Sequence, residues 1–230
     1  MIKNVLVTGG YGFLGLYVVK SLLDAWPDVN VKIVDIRRPE SLLFDMDSNP
    51  RTTACLIDIN HENEIRAAFA GIDVVIHLAG FVSSSIKAKD RMFRINVHGT
   101  ENVLEAMLLN HVPRLIHISS VAALGYRSGD EPINEDFHFD WRIARRRKKY
   151  YMLTKHLADV KVADYRHKGI DSVILHPSLM YGPGDTANSS RLIRAIKAGK
   201  IPFNMPGGTS VIHVQDVANG ILAALKSGVK

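Results

Sequence analysis

A short β-branched run, Asn4–Val7, gives way to Thr8-Gly-Gly-Tyr-Gly-Phe-Leu-Gly15, and a helical pattern over Leu14–Ala25 opens straight out of it. Glycine suits a sharp strand-to-helix turn, because it adopts backbone conformations closed to other residues and lets the main chain approach a neighbour closely. A helix that starts at such a turn aims its N–H groups and positive dipole end at any anion above the glycines. Gly9, Gly12 and Gly15 stand as G-x-x-G-x-x-G, a turn shaped for a dinucleotide pyrophosphate; an ordinary βα turn is the alternative.

The rest of the chain repeats the same alternation. Apolar runs at Asn4–Val7, Val31–Asp35, Thr53–Ile57, Val74–His77, Arg114–Ile118 and Ser172–Leu175 are expected as strands, several of them covered on both faces. Helices are expected over Leu14–Ala25, Asn63–Phe69, Asp90–Leu109, Tyr151–Arg166, Ser190–Ala198 and Gln215–Lys226. Asn134–Arg142 and Tyr181–Ser189 read as loops, the latter marked by Gly182, Pro183 and Gly184. Strands alternating with helices imply βαβ units, and so an α/β fold with a doubly wound parallel sheet, whose ligands bind beyond the carboxyl ends of the strands. The 230 residues suffice for one such core, with no internal repeat or long linker.

Composition excludes several classes. No apolar run approaches the roughly 18 residues of a membrane span, and the N-terminus is too soon broken by glycines for a secretory signal. The single cysteine, Cys55, permits no intrachain disulfide, so a reduced, cytoplasmic setting is expected. The net charge of +6 is mostly local: Arg142, Arg145, Arg146, Arg147, Lys148 and Lys149 crowd together just before Tyr151. A solvated face is the plain reading, with Asp130, Glu131, Glu135, Asp136 and Asp140 upstream; an anionic substrate group or acidic partner is the sharper one. Nucleic acid is not expected, since no aromatic platform accompanies the run. The histidines lack metal-ligand spacing, and His77, His117, His176 and His213 are expected as packed or hydrogen-bonded residues; no metal is expected.

Two further constellations carry chemistry. Asp35 ends the second strand, 20 residues after Gly15, where a carboxylate accepts hydrogen bonds from the adenosine ribose hydroxyls. The same carboxylate repels a 2′-phosphate, although Arg37 and Arg38 follow it and a guanidinium binds phosphate well. NAD is therefore favoured, with NADP as the alternative. Asp58, ending the third strand, is placed either to reach the adenine amine or to cap a helix. Tyr151 and Lys155 are four residues apart, on one helical face, where an ammonium would pull the phenol below its usual pKa toward general acid–base use. Ser120, with Ser119 second, is the strand-end hydroxyl to hold a substrate carbonyl or alcohol oxygen.

In TGGYGFLG (8–15), VDIRRP (34–39), VIHLAG (75–80), INVHGTENVLEA (95–106), LIHISSVAALG (115–125), YMLTK (151–155), HPSLMYGPGD (176–185) and VIHVQDVANGILAAL (211–225), the chain resembles the extended short-chain dehydrogenase/reductase superfamily. That is the branch of NAD-dependent epimerases, dehydratases and reductases. The resemblance implies a Rossmann-type fold and catalytic roles for Ser120, Tyr151 and Lys155, with Lys155 also on the nicotinamide ribose and Asn96 supporting the lysine; an ordinary helix N-terminal contact is the alternative for Asn96. It implies cofactor contacts from Gly9, Gly12, Phe13, Leu14, Gly15, Asp35, Arg37, Asp58, Ile59, Leu78, Ala79, Gly80, Ser119, Pro177 and Ser178. A two-fold four-helix interface, and hence a homodimer, is expected by resemblance only.

The same comparison bears on substrate. Dehydratases of the group carry Asp and Glu beside the catalytic hydroxyl, whereas Val121 and Ala122 follow Ser120 here. Nucleotide-sugar epimerases carry Asn where this chain has Leu179. The 119–125 wording and the Pro-Gly-Gly-Thr-Ser run at 206–210 resemble instead the dihydroflavonol-reductase and 3β-hydroxysteroid-dehydrogenase-like group. A hydride-transferring oxidoreductase on a secondary alcohol or ketone is therefore the leading expectation. An epimerase with tightly held NAD and a non-catalytic dinucleotide sensor or scaffold are the alternatives. One domain over 1–230 is expected, with a partial C-terminal substrate lobe drawn from about 177–212 and the family's C-terminal segment absent from these residues.

Overall fold

The computed structural model describes residues 2–39, 43–127, 133–186, 189–200 and 208–227. Its elements run β1 (Asn4–Thr8), α1 (Phe13–Ala25), β2 (Asn30–Asp35), β3 (Thr52–Leu56), α2 (Glu62–Ala68), β4 (Val74–His77) and α3 (Lys89–Met92). They continue through α4 (Gly99–Leu109), β5 (Arg114–Ile118), α5 (Trp141–Arg146), α6 (Tyr150–Arg166), β6 (Asp171–Leu175), β7 (Leu179–Tyr181), α7 (Ser189–Lys197), β8 (Val211–His213) and α8 (Val214–Lys226). Six strands pair in parallel in the order β3-β2-β1-β4-β5-β6, with the order reversing beside β1. That reversal opens a crevice at the carboxyl ends of β1 and β4, where an open α/β sheet binds its ligand.

Alternating side chains of the central strands feed two cores. Val5, Val7, Val31, Ile33, Val74 and Ile76 pack against α1 and α8 on one face. Leu6, Val34, Val75 and Leu115 pack against α2, α4 and α6 on the other. β4 and β5 are buried throughout, as a strand covered on both faces must be, while β3 at the sheet edge stays half open. Arg114, at the start of β5, pairs with Asp171 and donates to the carbonyls of Ala224 (2.8 Å) and Ser227 (2.7 Å). A cation thereby meets the negative end of α8 and fixes it to the floor of the sheet.

Each expected strand and helix is present, with ends shifted by a residue or so. The expected Asp90–Leu109 helix is one continuous rod of three parts, because Phe93–His98 winds as a π-helical turn between α3 and α4. The loop expected over Asn134–Arg142 ends earlier, since the Asp140 carboxylate accepts from the Arg142 and Ile143 amides and starts α5. The short parallel pair β7–β8 is an addition; three-residue strands leave too little alternation to read. Residues 130–131 and 206–207 lie outside those described.

The glycine turn is held by close approach. Gly9 has φ +69°, and a Cβ there would stand 2.8 Å from the Ala79 amide nitrogen. At Gly15 it would stand 2.3 Å from the Gly9 carbonyl oxygen. Gly15→Ala is predicted to cost about 1–3 kcal/mol through forced displacement of the turn, read as a lowered thermal midpoint; a variant melting like the parent contradicts the packing.

Candidate active site

The β1–α1 turn forms the left wall of the crevice. α1 begins at Gly12 with no side chain capping it and no acid in its first turn, which leaves its positive end directed at the crevice. Phe13 and Leu14 form that first turn, so their contribution to an anion is through the backbone. At the end of β2, Asp35 accepts from the Tyr11 amide (3.0 Å) and the Ile36 amide (2.8 Å). Burial pushes the Asp35 carboxyl up, against the pull of these backbone donors and of Arg37. Burial also pushes Asp58 up, but the Asn60 amide and side chain outweigh it and hold this carboxyl down. Ile59, expected at the cofactor, instead sits 5% exposed in the second core, and a Cβ on Gly99 would meet its side chain at 2.5 Å. Its side chain is packed within that core.

The end of β4 forms the crevice floor. Leu78 and Ala79 follow His77, whose Nδ1 lies 2.6 Å from Thr8 Oγ1 and whose Nε2 lies 3.0 Å from Thr100 Oγ1. Thr100 donates to the Asn96 carbonyl (2.7 Å), and the Ala79 amide donates to Thr8 (3.2 Å). Those two directions fix the rest: Thr8 donates to Nδ1, and a neutral His77 donates from Nε2. Burial holds the His77 pKa well below its usual range, so the ring stays neutral. Asn96, in the π-helical turn, accepts from the Phe81 amide (2.7 Å) and donates to the Phe81 carbonyl (3.0 Å) and to Thr154 (3.1 Å). Its side chain therefore braces the loop after β4 against α6; the bonds do not run to Lys155, as the resemblance implied.

The right wall is α6 against the end of β5. Tyr151 and Lys155 share the inner face of α6, and the Ser120 hydroxyl approaches the Tyr151 phenol and favours its ionised form. Ser120 Oγ also accepts from the Ala122 amide at 3.2 Å, capping the 3-10 turn Val121–Leu124, which fixes that oxygen in place. The phenol departs from expectation in one respect. Burial pushes its pKa up, Ser120 offsets only part, and Asp159 adds to the rise. Lys155 is not among the groups that move the phenol, and its ammonium donates to the Ile118 carbonyl, 2.8 Å away. Lys155 is itself pushed down to about 8 by burial, against the opposing pull of Asp159.

Beneath this pair lies a carboxylate the sequence reading passed over. Asp159, one turn beyond Lys155, accepts from Ser119 Oγ (2.9 Å) and contacts His176 Nε2 (2.9 Å), with His117 Nε2 at 3.5 Å. Burial alone would raise its pKa; His117, His176 and Ser119 outweigh burial and keep it ionised far below the usual carboxylate range. Ser119 is thus turned into the protein, and Ser120 alone of the two serines faces the phenol. His117 stacks on His77 with ring centroids 5.3 Å apart, and His213 accepts the Gln215 amide at the start of α8. Pro177 accepts the Val121 amide (3.2 Å), so the segment carrying Pro177 and Ser178 is tied to the strand-end serines. The signal for Asp159 was available: K-x-x-x-D repeats the helical spacing that singled out Y-x-x-x-K. Among the described residues no cluster of three or more His, Cys, Asp or Glu is placed to hold a metal ion, and no helix is long and apolar enough to cross a membrane.

The sequence profile of the NAD dependent epimerase/dehydratase family matches residues 5–230, and the chain belongs to that family. It is 32% identical over 228 residues to the bovine (Bos taurus) sterol-4-alpha-carboxylate 3-dehydrogenase, decarboxylating, covering 96% of this chain and 60% of that protein. It is 30% identical over 226 residues to a Stigmatella aurantiaca 4-hydroxy-2-methyl-3-oxo-4-farnesyl-3,4-dihydroquinoline-1-oxide ketoreductase, covering 96% and 64%. Among solved structures, the UDP-glucuronic acid 4-epimerase of Bacillus cereus, in complex with UDP-glucuronic acid and NAD, superimposes with a TM-score of 0.81 at 25% identity, covering 97% of this chain and 73% of that one. The chain spans less than two-thirds of the length of these curated relatives. The family's cofactor is NAD, and the crevice fits it: a glycine turn packed too closely to admit a Cβ at Gly9 or Gly15, an uncapped helix start, and a carboxylate at the end of β2.

The buried lysine gives a pH test. Burial disfavours the ammonium in the folded chain, so from about pH 8 up to the ordinary lysine value near 10.4 the unfolded chain holds more protons. Stability from this group therefore rises with pH across that window. Measured against Lys155→Met by denaturant unfolding, the protein is predicted to gain up to about 3 kcal/mol over it. A difference that stays flat contradicts the burial.

Proposed function

We propose that this chain carries the cofactor site and catalytic groups of an NAD-dependent oxidoreductase acting on a secondary alcohol or ketone. What supports the reading is that Ser120 approaches the Tyr151 phenol at the carboxyl end of β5, with Lys155 on the same face of α6, in the sheet whose β1 leads into the glycine turn. NAD, when bound, supplies or accepts the hydride. Ser120, its oxygen fixed by the Ala122 amide, holds the substrate oxygen by its hydroxyl. Tyr151 gives that oxygen a proton in reduction and takes it in oxidation. Its raised pKa keeps the phenol protonated at neutral pH, the form that donates. Lys155, one turn along the same face of α6, is the group we assign to the nicotinamide ribose.

Substrate class follows from what surrounds the triad. Leu179 opens β7 and Val121 and Ala122 follow Ser120, so at these positions the chain carries neither the amide that the resemblance links to a sugar nucleotide nor the acid pair of a dehydration. A bulky, largely apolar alcohol or ketone suits that lining, and the ketoreductase and sterol dehydrogenase relatives act on molecules of that kind by their names. In this reading the 230 residues form one cofactor domain with substrate-lobe elements within about 177–212, in a cytoplasmic homodimer.

Tyr151→Phe is predicted to lower kcat by about 10²–10⁴-fold while NAD binding is kept, assayed as cofactor turnover with secondary alcohols and their ketones. Turnover that survives the loss of the hydroxyl contradicts the assignment.

A further inference from the structure

The loop leading into β3 contributes an acid that belongs to no cofactor motif. Asp47 is 36 residues from Tyr11 in sequence, yet its Oδ1 accepts the Tyr11 hydroxyl at 2.6 Å. Its Oδ2 accepts from Arg38 Nε at 2.8 Å and stands 2.6 Å from Arg38 Nη2. The Asp47 side chain is only 17% exposed, while that of Arg38 is 55% exposed. Burial first, and then Asp47, push the Tyr11 phenol up to about 12, so that hydroxyl remains a donor throughout the physiological range. Tyr11 belongs to the glycine turn and its amide also donates to Asp35. One carboxylate thus ties together the turn, the end of β2 and the second arginine after Asp35.

We propose that Asp47 is a specificity-determining residue: by sequestering Arg38, it keeps the crevice selective for a dinucleotide whose adenosine ribose is free over one carrying a 2′-phosphate. The inference rests on the reading of the glycine turn as a dinucleotide site. A guanidinium just past the end of β2 is the group best shaped to grip a phosphate through paired N–H donors. Left free, Arg38 would offset the repulsion that Asp35 exerts on a 2′-phosphate. Held by Asp47, its Nε–Nη2 edge is filled and its charge is neutralised. Arg37 remains in either case and is a common background. Because partly exposed ion pairs are weak, the effect is bounded.

The test is equilibrium binding of NAD and of NADP, by calorimetry, to the protein and to Asp47→Asn, Arg38→Ala and the double variant. Asparagine keeps an oxygen for the Tyr11 hydroxyl while removing the charge, and thermal melting confirms that each variant folds. In Asp47→Asn the NAD-to-NADP affinity ratio is expected to move about two- to fivefold toward NADP. Adding Arg38→Ala is expected to return it to the parent value. An unchanged ratio in Asp47→Asn overturns the proposal. A gain that persists without Arg38 also overturns it, since the carboxylate's own charge would then be the determinant. If the unsubstituted protein binds neither dinucleotide, the reading of the glycine turn fails, and the proposal with it.

Discussion

A neutral, fully buried histidine joins the two halves of this crevice. His77 is fixed between Thr8 of the glycine turn and Thr100 of α4, and the directions of the flanking bonds leave it one tautomer. From Thr100 the chain of polar contacts passes through Asn96 and Thr154 to the Tyr151 carbonyl on α6. The glycine turn and α6 are therefore registered to one another by bonds within the protein, not only by packing. Buried polar groups are costly unless paired, so such a chain holds as a whole or fails as a whole.

A second buried group sets the electrostatics. Asp159 lies beneath Lys155 and binds Ser119 and His176, which belong to the ends of β5 and β6. It supplies the negative charge that lets a buried lysine keep its proton, and it turns Ser119 inward so that Ser120 is the hydroxyl left at the phenol. The β5 and β6 ends and α6 are thus locked around the place where proton transfer is proposed. The π-helical turn at Phe93–His98 fits the same logic, since it brings Asn96 to the Phe81 backbone and Thr154 together.

The sheet and its helices were readable because buried parallel strands leave continuous apolar runs and amphipathic helices leave a stripe. The glycine turn, Asp35, Tyr151, Lys155 and Ser120 could be named as candidates because the roles proposed for them depend largely on local spacing and on strand ends. What the sequence hid is of a different kind. Asn96 and Ile59 lie on the right elements, yet their partners come from the loop after β4 and from Gly99, which no local spacing reveals. The direction of the Tyr151 shift depends on how deeply the phenol is buried and on the nearby charge of Asp159, both properties of the packed chain. Asp47 reaches Tyr11 and Arg38 only once β2 and β3 are paired.

The central claim is that one crevice brings the glycine turn and the phenol of Tyr151 to opposite ends of the same dinucleotide. A crystal structure of the chain grown with NAD tests it most directly. The account predicts the pyrophosphate at the start of α1, the adenosine ribose at Asp35, and the nicotinamide with a substrate analogue placing its oxygen about 2.6–3.2 Å from the Tyr151 hydroxyl. A dinucleotide bound elsewhere, or a nicotinamide out of reach of Tyr151, contradicts it.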